Sequence, residues 1–437
     1  MKKFWIDTTL ATLFVFVTLG GIFKITDLKI FSAFDPLGQA LGDMEMTDIA
    51  FSQLREDPEL DTNIVLVNIS SLSRREIAQQ ISVINSFNPK VIGIDSFFDC
   101  PLGLRDTINC PALKDVMGNY MLANAMSQVE NLVLVTRVTQ TDSLFFSGVV
   151  DQYDSLERTD PEIRGDAYEG FANLETDAAS QESFKACRRL NPQLVVGEDT
   201  LLAFSVRMAM LFDSAKTKRF LARDNYLETI NYRGNILDLH GASAFSGRFF
   251  ALDWYQALDP EYVLPELIRG KIVIMGYLGD DFEDTSWDDK FFTPLNKQYA
   301  GKTNPDMYGP VIHANVISMI LTEDYIDEMS DWQEWAIAII VCFLNVALFW
   351  LIYQRIPDWF DGISVVLQLI QIILLSFLMI YFFNWYSFKL NLTITLVALA
   401  LVGTCFELYV GVGLKVYEIV RNSRWLTKRK AKVLTAD

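Results

Sequence analysis

Apolar residues fall along this chain in two kinds of run. Four are long and nearly unbroken, Leu10–Phe23, Trp335–Tyr353, Ile363–Phe383 and Leu390–Val412. Each is close to the roughly 20 residues an α-helix needs to cross a bilayer. The others are short and rich in β-branched side chains: Asn63–Ile69, Lys90–Ile94, Asn131–Val138, and Lys271–Met275 closed by Gly276. Such runs predict strands buried on both faces of a parallel sheet. Helical patterns lie between them. Ser73 and Glu76 make a capping box that opens a helix through Phe87, Ala112–Gln128 and Thr200–Phe212 follow, and Ala251–Leu258 is a further one. Ala314, Ile317, Met319, Ile320 and Leu321 give a last helix its apolar face. The stretch Thr141–Pro192 is polar and weakly periodic, and is expected as an insertion at the sheet edge. Strands alternating with helices place the fold in the α/β class: an exported domain with a mostly parallel sheet and helices on both faces, plus four α-helical transmembrane spans.

The same pattern divides the chain into an N-terminal transmembrane anchor (1–25), an extracytoplasmic domain (26–334), three transmembrane helices (335–412) and a basic cytoplasmic tail (413–437). The first apolar run fits a signal peptide or a retained anchor, and retention is expected because no small-x-small cleavage site follows it. Hydrophobic residues make up 51% of the 437, yet the formal charge is −18. That charge is concentrated in the middle, since the last 23 residues carry seven Lys or Arg. By the positive-inside rule the basic tail and Lys2-Lys3 place both termini in the cytoplasm and the acidic domain outside. An acidic domain argues against nucleic acid or an anionic membrane surface as its partner, and is compatible with divalent cations or basic partners.

Candidate chemistry concentrates after Gly276, where Asp280, Asp281, Glu283, Asp284 and Asp288 fall within nine residues, followed by Asp289 and Thr293-Pro294. Loops leaving the carboxyl ends of parallel strands form the ligand crevice of open α/β folds. Asp95 ends another strand at that edge, so Asp95, Asp284, Asp289 and Thr293 are expected to converge with the start of the helix that carries His313 and Asn315. Two readings stand: an oxygen-rich pocket for a hard cation or ligand, or carboxylates tied to backbone N–H groups and to Thr293. His313 and Asn315 are read as tying the preceding loop to the helix start, with ligand contact as the alternative. The spacing matches no fixed metal motif, phosphate-cradling glycine runs are absent, and the two histidines, His240 and His313, lie near no nucleophile elbow. No metal, cofactor or catalytic residue is therefore expected. Cys100 and Cys110, each followed by proline, are a disulfide candidate if the domain is exported. Inside the spans, the first expectation for Asn345, Gln368 and Gln371 (with Ser364 on the same face) is packing between helices, while Glu407, nearer the cytoplasmic end, is expected to snorkel or pair with Lys415.

The run GKIVIMG (Gly270–Gly276), the acidic loop with Thr293-Pro294, and YGPVIHAN (Tyr308–Asn315) resemble the C-terminal hallmark of the CHASE2 family of extracytoplasmic sensor domains. NIVLVNIS from Asn63, PKVIGIDSFFDC up to Cys100 and INYRG (Ile230–Gly234) resemble its other motifs in the same order, over about Asp43 to Thr322. Asn68 stands where the family commonly carries an acid. The resemblance implies a non-enzymatic sensory domain on the bacterial cytoplasmic (inner) membrane. Such domains usually feed a cytoplasmic kinase or cyclase. The segment after Val412 is too short for one, so signalling through a separate membrane-protein partner, or a homo-oligomer formed by the transmembrane helices, is expected. The alternative is a non-catalytic structural or accessory subunit of an envelope complex.

Overall fold

The computed structural model describes residues 2–26, 45–99, 115–147, 152–176, 186–237, 241–297 and 304–413. The first apolar run is helix α1 (Lys2–Thr26), and the chain then builds a seven-stranded sheet from β1 (Asp61–Asn68), β2 (Val91–Asp95), β3 (Leu132–Thr139), β4 (Ser155–Arg158), β5 (Tyr168–Phe171), β6 (Phe249–Leu252) and β7 (Ile272–Gly276). Its order is β6-β1-β7-β2-β3, with β4 and β5 both on the outer edge of β3. Every pairing is parallel except β3 with β4.

Helices cover both faces, and the period of two along each strand decides which side chains meet which helix. Val65, Val67, Ile92, Ile94, Val273 and Met275 pack with α2 (Arg74–Ser86) and α3 (Val116–Ser127) through Ile77, Ile81, Leu122 and Met126. The alternate positions face α4 (Phe204–Phe212) and α5 (Gly309–Thr322). At Gly93 helix α4 comes close, since a Cβ there would stand 2.3 Å from Met208 Sδ and 2.7 Å from Phe204 Cζ. The capping box at Ser73 and Glu76 is present.

Two sequence expectations change, and the polar insertion expected at the sheet edge is found there as strands. Ala251–Leu258 is not a helix: Phe249–Leu252 pairs with β1, and only Gln256–Leu258 makes a 3₁₀ turn. Asp253 stops the strand, because its backbone N–H donates to Gln256 Oε1 and its carboxylate accepts from Trp254 N–H. The Thr200–Phe212 pattern is split. Asp199–Leu202 pairs with Gln193–Val196 around Gly197 (φ 63°), and the helix starts at Phe204. The polar insertion contributes β4 and β5, because Phe171 buries against the sheet and outweighs the local polarity.

Contacts divide the chain into two units, Ala40–Ile326 and Met1–Gln39 with Asp327–Asp437. The second holds four helices long and apolar enough to cross a membrane, within Phe4–Ile22, Asp331–Arg355, Pro357–Tyr386 and Thr393–Val412. After α1 these are α6 (Asp331–Arg355), α7 (Phe360–Tyr386) and α8 (Thr393–Leu408). Helix α8 packs against the other three. Val15, Leu19, Val346, Phe349, Val402 and Phe406 are among the buried side chains of this core. The fourth span starts at Thr393 rather than Leu390, because Phe388-Lys389 pairs with Asp327-Glu328 and Glu334 Oε1 caps the Ile394 N–H.

Candidate functional site

Three strand ends lie in one row: Asn68 of β1 is in register with Gly276 of β7, and Gly276 with Asp95 of β2. The chain leaves β1 toward α2 on one face and β7 toward α5 on the other, so a crevice opens outside these carboxyl ends. Asn68 is fully buried and closes one side of it. Its Oδ1 accepts from Ser70 N–H (2.9 Å) and Leu278 N–H (3.0 Å). Its Nδ2 donates to Asp253 Oδ1 (2.9 Å) and to the Gly279 carbonyl (3.0 Å). One amide thus lashes the loop after β7 to β1 and to the end of β6.

Asp95 and His313 meet on the α5 side. Gly276 lets them approach, since a Cβ there would stand 2.5 Å from Pro310 Cγ and 3.2 Å from Asp95 Cβ. His313 Nε2 lies 3.9 Å from Asp95 Oδ2, beyond hydrogen-bond reach. Among the described residues no donor hydrogen-bonds the Asp95 carboxylate, whose side chain is 19% exposed. Burial, and then the nearby charge of Asp289, push its pKa up to about 7. His313 is buried under the Phe204 ring, edge to face at 5.1 Å, with Nδ1 unpartnered. That burial pulls its pKa down to about 4. Asp289 holds a left-handed backbone (φ 54°) uncommon for a residue with a side chain.

Asp284 and Thr293 lie in the adjoining part of the crevice. Asp284 accepts from the backbone N–H groups of Asp280 and Ser286 and from Ser286 Oγ, and these bonds outweigh burial to hold its carboxyl below the ordinary value. Thr293 bonds none of the three acids expected for it. Its N–H and Oγ1 both donate to Asp306, at 2.8 and 2.7 Å. Asp306 is buried, and despite these bonds and one from Asn296 its pKa rises to about 7. Beside it opens a cavity of about 430 Å³, lined among others by Asp284, Trp287, Lys290, Asn296, Asp306 and Tyr308. Lys290 Nζ donates to the Asp284 carbonyl and sits 4.8 Å from the Tyr308 ring centre.

Asn315 ties the segment before its helix only through Nδ2 to Met307 Sδ (3.6 Å), and its stronger bonds go elsewhere. Its Oδ1 accepts from the Arg233 and Gly234 N–H groups, and its Nδ2 donates to the Gly234 and Val311 carbonyls, so it anchors the INYRG segment to α5. Among the described residues no group of three or more His, Cys, Asp or Glu is placed to hold a metal ion. Cys100, Cys110 and His240 lie outside the described residues. In the helical unit, Gln368 Nε2 donates to the Leu399 carbonyl at 2.6 Å, against Gly403 of the same helix. Asn345 Nδ2 bonds Val341 one turn back, while Asn345 Oδ1 and Gln371 Oε1 are buried without partners. Glu407 lies exposed within hydrogen-bonding reach of the Asp361 carboxyl, and Lys415, its partner by sequence, lies outside the described residues.

Sequence reasoning passed over Asn68, Asp253 and Asp306 as site residues. Asp306 had a signal, the turn-forming Asn304-Pro305-Asp306 just before the helix. Asp253 had none, being hidden in a pattern that reads as helical.

The family model for the CHASE2 domain matches residues 11–351. That span takes in most of α1 and α6, and so reaches past the Asp43–Thr322 stretch whose motifs carry the resemblance. No curated protein and no solved structure matches the chain. With the hallmark strand, acidic loop and His313 helix assembled around one crevice, and the family model matching well over half the residues, the chain belongs to the CHASE2 family of sensory domains.

Proposed function

We propose that this protein is a non-catalytic membrane sensor whose CHASE2 domain lies outside the bacterial cytoplasmic membrane and regulates a separate partner through its four apolar helices. The observation that carries the reading is the 430 Å³ cavity at the carboxyl edge, where the loop after β7 supplies much of the lining. A sensory crevice needs a space whose filling changes the loops around it, and this loop connects directly to α5, whose chain continues into α6. A library of small polar compounds screened by thermal shift on the full chain in detergent tests it. A true ligand raises the melting temperature of wild type and not of Ala242→Trp, which fills the cavity. If every compound that stabilises the wild type stabilises Ala242→Trp equally, the cavity is not the sensory site.

Orientation has its own test. A reporter fused after Asp437 is expected to be active only in the cytoplasm, and one inserted near Asp160 only outside. The reverse pattern overturns the topology.

One observation favours the second reading, an accessory subunit that docks onto an envelope complex. Phe145 and Phe146 are 66% and 82% exposed in a single turn after β3. Under that reading Phe145→Ser/Phe146→Ser abolishes recovery of a cross-linked partner, whereas Ala242→Trp does not.

A further inference from the structure

The cavity leaves Asp95 unused, and the surroundings of this carboxyl differ from those of the other acids in the crevice. Asp284 and Asp306 each receive two or more hydrogen bonds, whereas Asp95 receives none among the described residues. The elements packed around it bring little compensation. From β7 it meets Gly276, and from α5 Gly309 and an uncharged, buried His313. Helix α4 contributes the Phe204 ring to His313, while its Arg207 is turned to the Glu169 carbonyl. The acidic loop contributes Phe291 and the charge of Asp289. Lys290, next to Asp289, has its ammonium over Tyr308 and on the Asp284 carbonyl, and Lys90 has its own on the Phe212 carbonyl. An ionised Asp95 would therefore stand with no donor among the described residues and with the like charge of Asp289, itself in a left-handed conformation, beside it.

We propose that Asp95 is a proton-binding site that holds the acidic loop closed while it carries a proton and lets the loop open when the proton leaves. The ligand sensed is the hydrogen ion, which deepens the sensor reading above and rests on it. When Asp95 loses its proton, a second negative charge appears beside Asp289, and opening the loop separates the two and hydrates Asp95. His313, buried under Phe204 with its pKa lowered to about 4, stays uncharged across this range and does not take the charge. If the open loop returns Asp95 to an ordinary carboxyl while the closed loop holds it near neutrality, linkage makes opening about tenfold more frequent at pH 8 than at pH 6, levelling off above.

Hydrogen–deuterium exchange of the full chain in detergent, corrected for intrinsic rates, reads this on peptides spanning Tyr277–Leu295. Wild type is expected to show the tenfold change there and none in peptides from α2. In Asp95→Asn the change disappears. In Asp289→Asn the plateau is reached at lower pH, so the change between pH 6 and pH 8 shrinks. The proposal is overturned by a wild-type loop that does not respond to pH, or by a response that persists in Asp95→Asn, which would assign the titration to Asp306. If Asp95→Asn does not fold, an unchanged tenfold response in Asp289→Asn overturns it equally. Because the readout is the loop itself, its failure leaves the cavity reading standing, and a cavity that takes no compound leaves the proton site standing.

Discussion

Replacing Asn68 by Asp changes one atom group at the point where the loop after β7 is lashed down, and the cost follows from the four hydrogen bonds of the amide. The two that Oδ1 accepts, from Ser70 and Leu278 N–H, survive. The two that Nδ2 donates, to Asp253 Oδ1 and the Gly279 carbonyl, are lost. The first of these goes to a carboxylate, worth about 1.5–3 kcal/mol, and the second is worth about 1 kcal/mol. An oxygen facing Asp253 from the donor's 2.9 Å position adds like-charge repulsion, which the new carboxyl escapes only by taking up a proton. A loss of about 3–5 kcal/mol at pH 7.5 is expected, seen as a fall of roughly 5–8 °C in the melting temperature of the Ala40–Ile326 unit in the full chain. The pH dependence carries the argument. The introduced carboxyl has a folded pKa raised above its unfolded one, so its cost is absent at low pH and grows as pH rises through the folded value. At pH 5 the protonated acid donates to Asp253 again, and the loss shrinks to about 1–2 kcal/mol. Thermal melts of wild type, Asn68→Asp and Asn68→Asp/Asp253→Asn at both pH values check this. The double variant should recover most of the loss at pH 7.5. A loss below about 1 kcal/mol, or one equal at both pH values, would refute the reasoning.

Further outcomes follow from other packed groups. Gly170→Ala should cost at least about 3 kcal/mol, because its Cβ would stand 2.6 Å from the Phe204 Cα, and Gly93→Ala about 1–3 kcal/mol, since flexible Met208 can yield part of the space; chemical denaturation compares them. Arg188→Met strands the buried Asp48 that Arg188 contacts at 2.7 Å, and should lower stability by about 3–5 kcal/mol in the same assay. Gln368→Leu removes the α7–α8 bond and should cost about 0.6–2 kcal/mol by unfolding in mixed micelles. Asp95 and Asp306, with folded values raised to about 7, lose stability as pH climbs to that point, while His313, lowered to about 4, gains it up to about 6.5. Two acids against one histidine leave a net fall, so wild type should melt higher at pH 5.5 than at pH 7.5, and Asp95→Asn should flatten that difference.

The parallel sheet and the four apolar helices were legible as patterns because they rest on local periodicity. Short β-branched runs bury both faces of a strand, and long apolar runs cannot be satisfied in water. The alternation of strand and helix is also sufficient to send the carboxyl ends of β2 and β7 to one edge, which brings Asp95 beside the helix of His313. What periodicity could not supply was the partner of each polar group. Thr293 reads as belonging to the acidic loop before it, yet it bonds Asp306, thirteen residues on, because Lys290-Phe291 pairs with Met307-Tyr308 and sets the two side by side. Asn68 reads as a departure from a common acid, and only the arrival of Asp253, 185 residues later, makes an amide's two donors the better choice. Phe249–Leu252 carries no stronger strand signal than the helical pattern that overlaps it, and it becomes a strand because β1 has a free edge to pair with. Propensity acts through near neighbours along the chain. Hydrogen-bond partners, sheet edges and the desolvation that shifts Asp95 and His313 in opposite directions are decided by residues far away in sequence, and exist only once the fold has brought them together.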